Sequence, residues 1–491
     1  MESTEVPLSK ELLHARPTPE PVEDWIYEIG TSFRPDMRVP VRIFADDVLI
    51  QQIQRDRSLR QLVNVSTLPG IVDAALGMPD MHEGYGFPVG GVAATRLPDG
   101  VISPGGIGFD INCGVRLLVS ELEEDDIRPV LEKLIHEVSR SVPAGFGRSS
   151  RKLSLNRRQL DHLLNDGVPY LVEELHLGVS EDVHFLESGG AMPGAKSTQV
   201  SERAKQRGHD QLGTLGGGNH FVEIQLVDQV FDDDAAAQLG LFPGKITVLV
   251  HTGSRGLGHQ VCTDYVKRMD AVMTRHGIHV PDRQLACAPF SSQAGQEYFA
   301  AMGAAANYGF ANRQVIAHHM RRIFEEFLGE SRGALRLIYD VAHNTAKVER
   351  YGDDELVVHR KGATRAFGPS SREIPPAYQG LGQPVFIPGS MGTASYVLLG
   401  TDEARDISLA SCCHGAGRAM SRTQSKHEVR GADLRHELED EGIAIECTSN
   451  VELAEEAPTA YKDVDRVVDV VHEAGMARKV ARLRPIAVLK G

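Results

Sequence analysis

The feature that most constrains this fold is a set of side chains with metal-binding chemistry, each in glycine-crowded backbone. Asp110 and Cys113 lie three residues apart in Ser103-Pro-Gly-Gly-Ile-Gly-Phe-Asp110-Ile-Asn-Cys113-Gly-Val-Arg116. His220 follows Gly216-Gly-Gly-Asn219, His251 ends Val-Leu-Val and precedes Thr-Gly-Ser-Arg, and His343 closes Tyr339-Asp-Val-Ala. His414 sits in Cys412-Cys413-His414-Gly-Ala-Gly-Arg418. Glycine lets backbone approach a ligand closely. An oxygen, a sulfur and several imidazoles outside helical runs can build a site in which one thiolate bridges two metal ions. The fold must therefore gather the ends of several strands at one place.

Length and composition leave room for this. The chain has 491 residues and is 41% hydrophobic, enough for a large core. Six scattered cysteines show no secreted disulfide spacing. The N-terminus lacks the basic and apolar regions of a leader, and no stretch approaches a membrane span. The expectation is a cytoplasmic protein with reduced thiols and no membrane partner. Residues 1–24 are polar and proline-rich, and read as a flexible or loosely docked extension. Residues 25–491 read as one catalytic domain.

Short β-rich runs ending in turn signals predict strands over 114–120, 245–250, 335–339 and 384–387. Cys113, His251 and His343 adjoin three of them, where a rigid sheet would aim them. An alanine-rich run predicts a helix over 296–328, and 125–142 and 463–480 also read as helical. Strands and helices without strict alternation point to an α+β fold.

Each candidate also has an ordinary reading. A single histidine is commonly a hydrogen-bonded core or surface residue, and a single cysteine is commonly just buried. His318 and His319 take the ordinary reading. His82, in Met78-Pro-Asp80-Met-His82, is read either as part of a turn beside the site or as a direct participant. If 219–223 is extended, Asn219, Phe221 and Glu223 share one face and His220 and Val222 the other; the alternative is an ordinary amphipathic strand. No P-loop is present. Pro388-Gly-Ser-Met-Gly-Thr-Ala-Ser395 and His414-Gly-Ala-Gly417 instead offer backbone N–H groups of the kind that form anion nests.

Together these segments resemble the RtcB family of GTP-dependent RNA ligases. The resemblance runs from about residue 39 to 491. It rests on residues 79–94, 103–118, 215–223, 251–259, 339–347, 359–367, 383–397, 413–418 and 484–491. It implies that Asp110, Cys113, His220, His251 and His343 hold two manganese ions, with Cys113 shared. It makes His414 the nucleophile that carries GMP. It assigns the guanylate pocket to Asn219, His220, Phe221, Val222, Glu223, His343, Asn344, Pro388, Gly389, Ser390, Met391, Ser395, His414, Gly415, Ala416, Gly417 and Lys490. The implied reaction joins RNA 3′-phosphate or 2′,3′-cyclic phosphate ends to 5′-hydroxyl ends in tRNA splicing or RNA repair, with an activating protein partner left open. Sulfur and nitrogen donors by themselves would suggest zinc, which binds more tightly in the usual series.

Two rivals use the same residues: a metal-dependent phosphoesterase with water as nucleophile, and a nucleotide-binding sensor. The net charge of −15 argues mildly against nucleic acid, so RNA binding requires a local basic cleft. Arg360, Lys361, Arg365 and Arg418 are the expected lining.

Overall fold

A computed structural model describes residues 9–150 and 153–491. It is built on two large sheets. The first has seven strands, in the order Glu20–Glu23, Ile26–Ile29, Val41–Phe44, Ile71–His82, Val89–Arg96, Asp354–Lys361 and Asn344–Tyr351. Its one parallel pair joins Val41–Phe44 to Ile71–His82, and the crossover between them carries the helices Asp47–Ile53 and Ser58–Val65.

The second sheet runs Arg336–Ala342, Gly114–Glu123, Lys245–Thr252, Phe221–Val230, Ala477–Lys490, Ser395–Gly400 and Pro384–Ile387. Ala444–Cys447 adds in parallel to Ala477–Lys490. Its central strands are buried on both faces: Ile246, Val248, Leu249 and Val250 have no exposed surface. That explains why Lys245–Thr252 reads as a continuous apolar run and not as an alternation. Helices pack around the sheets, and the fold is α+β.

The longest helix, Gln293–Leu328, starts at Ser292, whose hydroxyl accepts the Gly295 N–H. Most of its residues between 300 and 324 are buried, so it is a core helix and not a surface one. The predicted helix over 125–142 is broken into Glu124–Ile127 and Leu131–Ser141 around a short 3₁₀ turn containing Pro129. The predicted helix over 463–480 is corrected: it spans Val464–Glu473 and stops at Gly475, whose φ is +77°. From Ala477 the chain is strand. Of the expected N-terminal extension, residues 1–8 lie outside the described residues. Residues 9–24 carry the helix Lys10–His14 and the fully exposed edge strand Glu20–Glu23.

Strand register positions the site. Gly114 pairs with Ala342 and Thr252, and His251 pairs with Val115 and Phe221. Cys113, His220 and His343 each lie one residue outside these pairs. Four donors thus stand side by side along one end of the second sheet. At His343 the chain also passes from one sheet to the other, from Arg336–Ala342 into Asn344–Tyr351.

Candidate active site

The donor cluster forms where these strand ends meet. Cys113 Sγ lies 3.4 Å from His220 Nε2 and 3.3 Å from His251 Nε2. His220 Nε2 is 2.9 Å from Asp110 Oδ2. The ligand atoms of Asp110, Cys113 and His220 all fall within 4.8 Å of one another. The rings of His251 and His343 are 5.6 Å apart, centre to centre. His343 Nδ1 is 2.8 Å from Thr364 Oγ1, while its Nε2 is buried without a partner.

The electrostatics of these groups suits a bound cation. Burial, with the Asp110 charge beside it, pushes the Cys113 thiol well above its ordinary range. Burial pushes His251 and His343 well below theirs, so both are neutral. Burial works to raise the Asp110 carboxyl, yet His220 and Arg255 hold it below its ordinary value. A thiol, a carboxylate and neutral imidazoles, with His251 Nδ1 and His343 Nε2 both orphaned, are suitable donors for divalent transition metals. The residues present therefore fit the implied metals.

The loop carrying Asp110 and Cys113 is fixed from below. Asn112 takes a left-handed φ of +53°. Arg313, on the long helix, donates Nη1 to Asn112 O and Thr252 O, both at 2.8 Å. Its Nη2 donates to Asn112 Oδ1 at 3.0 Å and to Asp340 Oδ1 at 2.7 Å. Ser254 N–H donates to Asp110 Oδ1 at 3.1 Å.

Above the cluster opens a cavity of about 470 Å³. Asp110, Cys113 and His251 reach it, with Asn219, Phe221, Asn344, Pro388, Gly389, Ser390, Met391, His414, Gly415, Ala416, Gly417 and Lys490. The expected residues thus converge, although His220, Val222, Glu223, His343 and Ser395 lie behind the wall. The strand begins at Phe221, so Asn219 and His220 belong to the turn before it. Glu223 is fully buried: Gln225 Nε2 donates to its Oε2 at 2.7 Å, and its Oε1 has no partner. Gln225 Nε2 also donates to Ser395 Oγ at 3.0 Å, and that hydroxyl accepts the Gly389 N–H at 3.2 Å. Lys490 Nζ donates to Gly218 O and, at 3.1 Å, to His220 O.

His414 follows the strand Ser411–Cys413, and its ring lies 5.3 Å from that of His343. Sequence reasoning missed the residue beside it. Asp80 is fully buried, and its Oδ2 lies 2.5 Å from His414 Nδ1 while accepting the His414 backbone N–H at 3.2 Å. Lys462 Nζ donates to the carbonyls flanking Asp80, Pro79 O at 3.2 Å and Met81 O at 2.6 Å. The aspartate occurs in the same motif as His82, but nothing in the spacing ties it to a histidine 334 positions away. His82, the undecided residue, lines the cavity, with Nδ1 3.1 Å from Asp80 O. Glu456, Tyr461 and Arg422 also line the wall and were not foreseen.

Two expectations change. In the 388–395 turn, Gly389 and Ser390 donate their N–H groups to Ser395 Oγ and Thr393 Oγ1, so those groups point into the turn and not into an open nest. Of the expected basic lining, Lys361 and Arg418 reach the cavity and Arg360 and Arg365 do not. Arg360 is buried against Glu349, Arg365 is buried near Glu187, and Lys361 Nζ donates to Tyr85 O and Phe87 O. Arg418 reaches the cavity but pairs with Glu456.

The fold and site define a class: an α+β enzyme with a metal-competent thiol–imidazole cluster beneath an open polar pocket. Comparison with known proteins narrows the class to one family. The family model described as tRNA-splicing ligase RtcB matches residues 61–491. A protein named tRNA-splicing ligase RtcB, from Archaeoglobus fulgidus, is 50% identical over 96% of this chain and 98% of its own length. One of the same name from Thermococcus kodakarensis is also 50% identical, over 94% of this chain and 96% of its own. A protein named RNA-splicing ligase RtcB, from Mycobacterium tuberculosis, is 51% identical over 88% and 100%. The chain belongs to the RtcB ligase family. Among the described residues, no helix is long and apolar enough to cross a membrane.

Proposed function

We propose that this protein is an RNA ligase that seals 3′-phosphate or 2′,3′-cyclic phosphate ends to 5′-hydroxyl ends, consuming GTP and carrying GMP on His414. The observation that carries the reading is the His414–Asp80 contact at the edge of the pocket, next to the donor cluster. A water-using phosphoesterase would use a histidine held this way as an acid or base and form no covalent nucleotide, so the adduct is what separates the two readings, and a sensor has no need of the complete donor set.

Manganese ions held by Asp110, Cys113, His220, His251 and His343 would supply charge neutralisation for the phosphates. The protein's own residues do the rest. The Asp80 carboxylate, 2.5 Å from Nδ1, would stabilise the positive charge that develops on the ring as Nε2 acts as nucleophile. His414 attacks the α-phosphorus of GTP; the P–N bond forms as the bond to pyrophosphate breaks. GMP then passes to the RNA 3′-phosphate, which water first releases from a 2′,3′-cyclic end: the P–N bond to His414 breaks as a phosphoanhydride forms between the 3′-phosphate and GMP. The 5′-hydroxyl attacks the phosphorus of the 3′-phosphate, loses its proton and expels GMP. Positioning and charge dominate such transfers. The orphaned Glu223 Oε1 and Lys490, both behind or within the wall, are suited to polar recognition of the base.

The test is incubation of the protein with labelled GTP and manganese. The expected product is an acid-labile adduct that mass spectrometry maps to His414 and that His414→Ala lacks. An adduct on another residue overturns the assignment. A centre that cleaves phosphoesters without any adduct favours the phosphoesterase.

A further inference from the structure

Close to the pocket, the exposed rings of Phe146 and His259 and the half-buried Phe109 stand among arginines that the chemistry above does not use. Phe146 is 68% exposed, at the centre of Gly145-Phe146-Gly147-Arg148. Gly145 and Gly147 take φ of +103° and +66°, and these two bends turn the phenyl ring out of the core. The ring lies over Gly217, where a Cβ would come within 2.4 Å of it. Asn219, two residues on, is in the pocket wall. The loop is anchored: Pro143 O accepts the Leu215 N–H at 2.9 Å, and Gly145 O accepts from Arg255 Nη2 at 3.2 Å.

One helical turn beyond Arg255, His259 is exposed. Its ring stacks on Phe109, with centroids 4.9 Å apart and planes 24° apart. Phe109 itself lines the pocket next to Asp110, and Tyr85 meets it edge-on at 5.1 Å. Arg207 is exposed on the neighbouring helix, its Nη1 donating to Gln260 Oε1 at 3.1 Å, and Arg148 is exposed beside Phe146.

A phenylalanine two-thirds in water is unfavourable unless another flat apolar surface covers it. An aromatic face beside a guanidinium suits a nucleobase with its phosphate. The buried, paired Arg360 and Arg365 leave that task to other cations. We infer that Phe146, Arg207 and the Phe109–His259 pair form a track that holds single-stranded RNA by base stacking and phosphate pairing as its end enters the pocket. The inference rests on the ligase reading. Every base has a stacking face, so the track tolerates any sequence near the end being joined.

The test is the affinity of a fluorescent single-stranded RNA bearing a 3′-phosphate, measured by anisotropy on the full chain. Phe146→Ala and His259→Ala should each weaken binding about tenfold, while Phe146→Trp and His259→Phe, which keep a stacking face, should bind as wild type does. Arg207→Ala should lower the salt dependence of binding. Unfolding midpoints equal to wild type would establish that the variants are folded. Unchanged affinity in both alanine variants overturns the track, as does equal loss in the aromatic replacements. Adduct formation by the wild type is read separately: its failure removes the ligase reading, whereas normal adduct formation with unaffected RNA binding in the variants removes the track alone.

Discussion

On the proposed reading, the buried Glu223 would set the choice of base. Burial pushes its carboxyl up to about 8, against the opposing effects of Gln225 and Lys490. At pH 7 it is therefore mostly protonated while the pocket is empty. Guanine presents N1–H and the 2-amino group as adjacent donors, which favour the carboxylate, so GTP binding should release a proton. Calorimetry in buffers of different ionisation enthalpy would measure that release, and Glu223→Gln should abolish it. The ionised carboxylate cannot pair with the N1 acceptor of adenine, a loss of roughly 3–6 kcal/mol, whereas the protonated acid can donate to it, so discrimination should sharpen as pH rises through about 8. GTP should thus outcompete ATP, with inosine triphosphate between them. Equal use of all three would remove Glu223 from base recognition. Residues such as Cys113 and His251 were legible in the sequence because glycine and a β-rich run flank each one. Asp80 was not, because its partner His414 is distant in the chain and adjacent only after folding. The burial of Arg360 was hidden for a similar reason: its partner Glu349 stands on the neighbouring strand of a hairpin.

At the scale of elements, the long helix Gln293–Leu328 is more than packing, because Arg313 ties it to the ends of two strands. Arg116 Nε donates to Asp340 Oδ2 at 2.7 Å, so two arginines share one buried carboxylate. Arg313→Met would leave Asp340 with one cation and the Asn112 and Thr252 carbonyls without their donor. Breaking such a buried pair costs about 3–5 kcal/mol. Arg313→Lys should not rescue it, since one ammonium cannot reach the five acceptor atoms that the planar guanidinium spans. Denaturant unfolding of both variants would measure the loss, and hydrogen exchange should report faster opening at 110–114. A loss under about 1 kcal/mol would show that the loop holds its shape unaided. The helix itself was legible from its alanines, and the strand Pro384–Ile387 from its turn signals. The end of Val464–Glu473 was misread because valines continue past Gly475, and apolar spacing over a few residues does not separate helix from strand. The left-handed glycine was the signal that settled it.

For the whole molecule, the consequence of the topology is that one small cluster joins distant parts of the chain. Asp110 and Cys113 precede one strand, His220 precedes a second, His251 lies near the end of a third, and His343 marks the passage between the two sheets. No local spacing encodes this; the α+β class was legible, but the order of strands in each sheet was not. A metal ion bound here would bind the folded chain alone and stabilise it by mass action, about 2.7 kcal/mol at a hundredfold excess over its dissociation constant. For a chain of 491 residues, that corresponds to a rise of about 2–3 °C in unfolding midpoint. Without metal, the neutral Cys113 thiol contributes only a small buried group, so Cys113→Ala should melt within about 1 kcal/mol of the metal-free wild type. Added manganese should then raise the midpoint of the wild type and leave the variant unmoved, because the sulfur that approaches both His220 and His251 is gone. Scanning calorimetry with and without manganese, and with a chelator to reverse the shift, makes the comparison. An equal shift in the two proteins would place the metal elsewhere and reduce Cys113 to a packing residue.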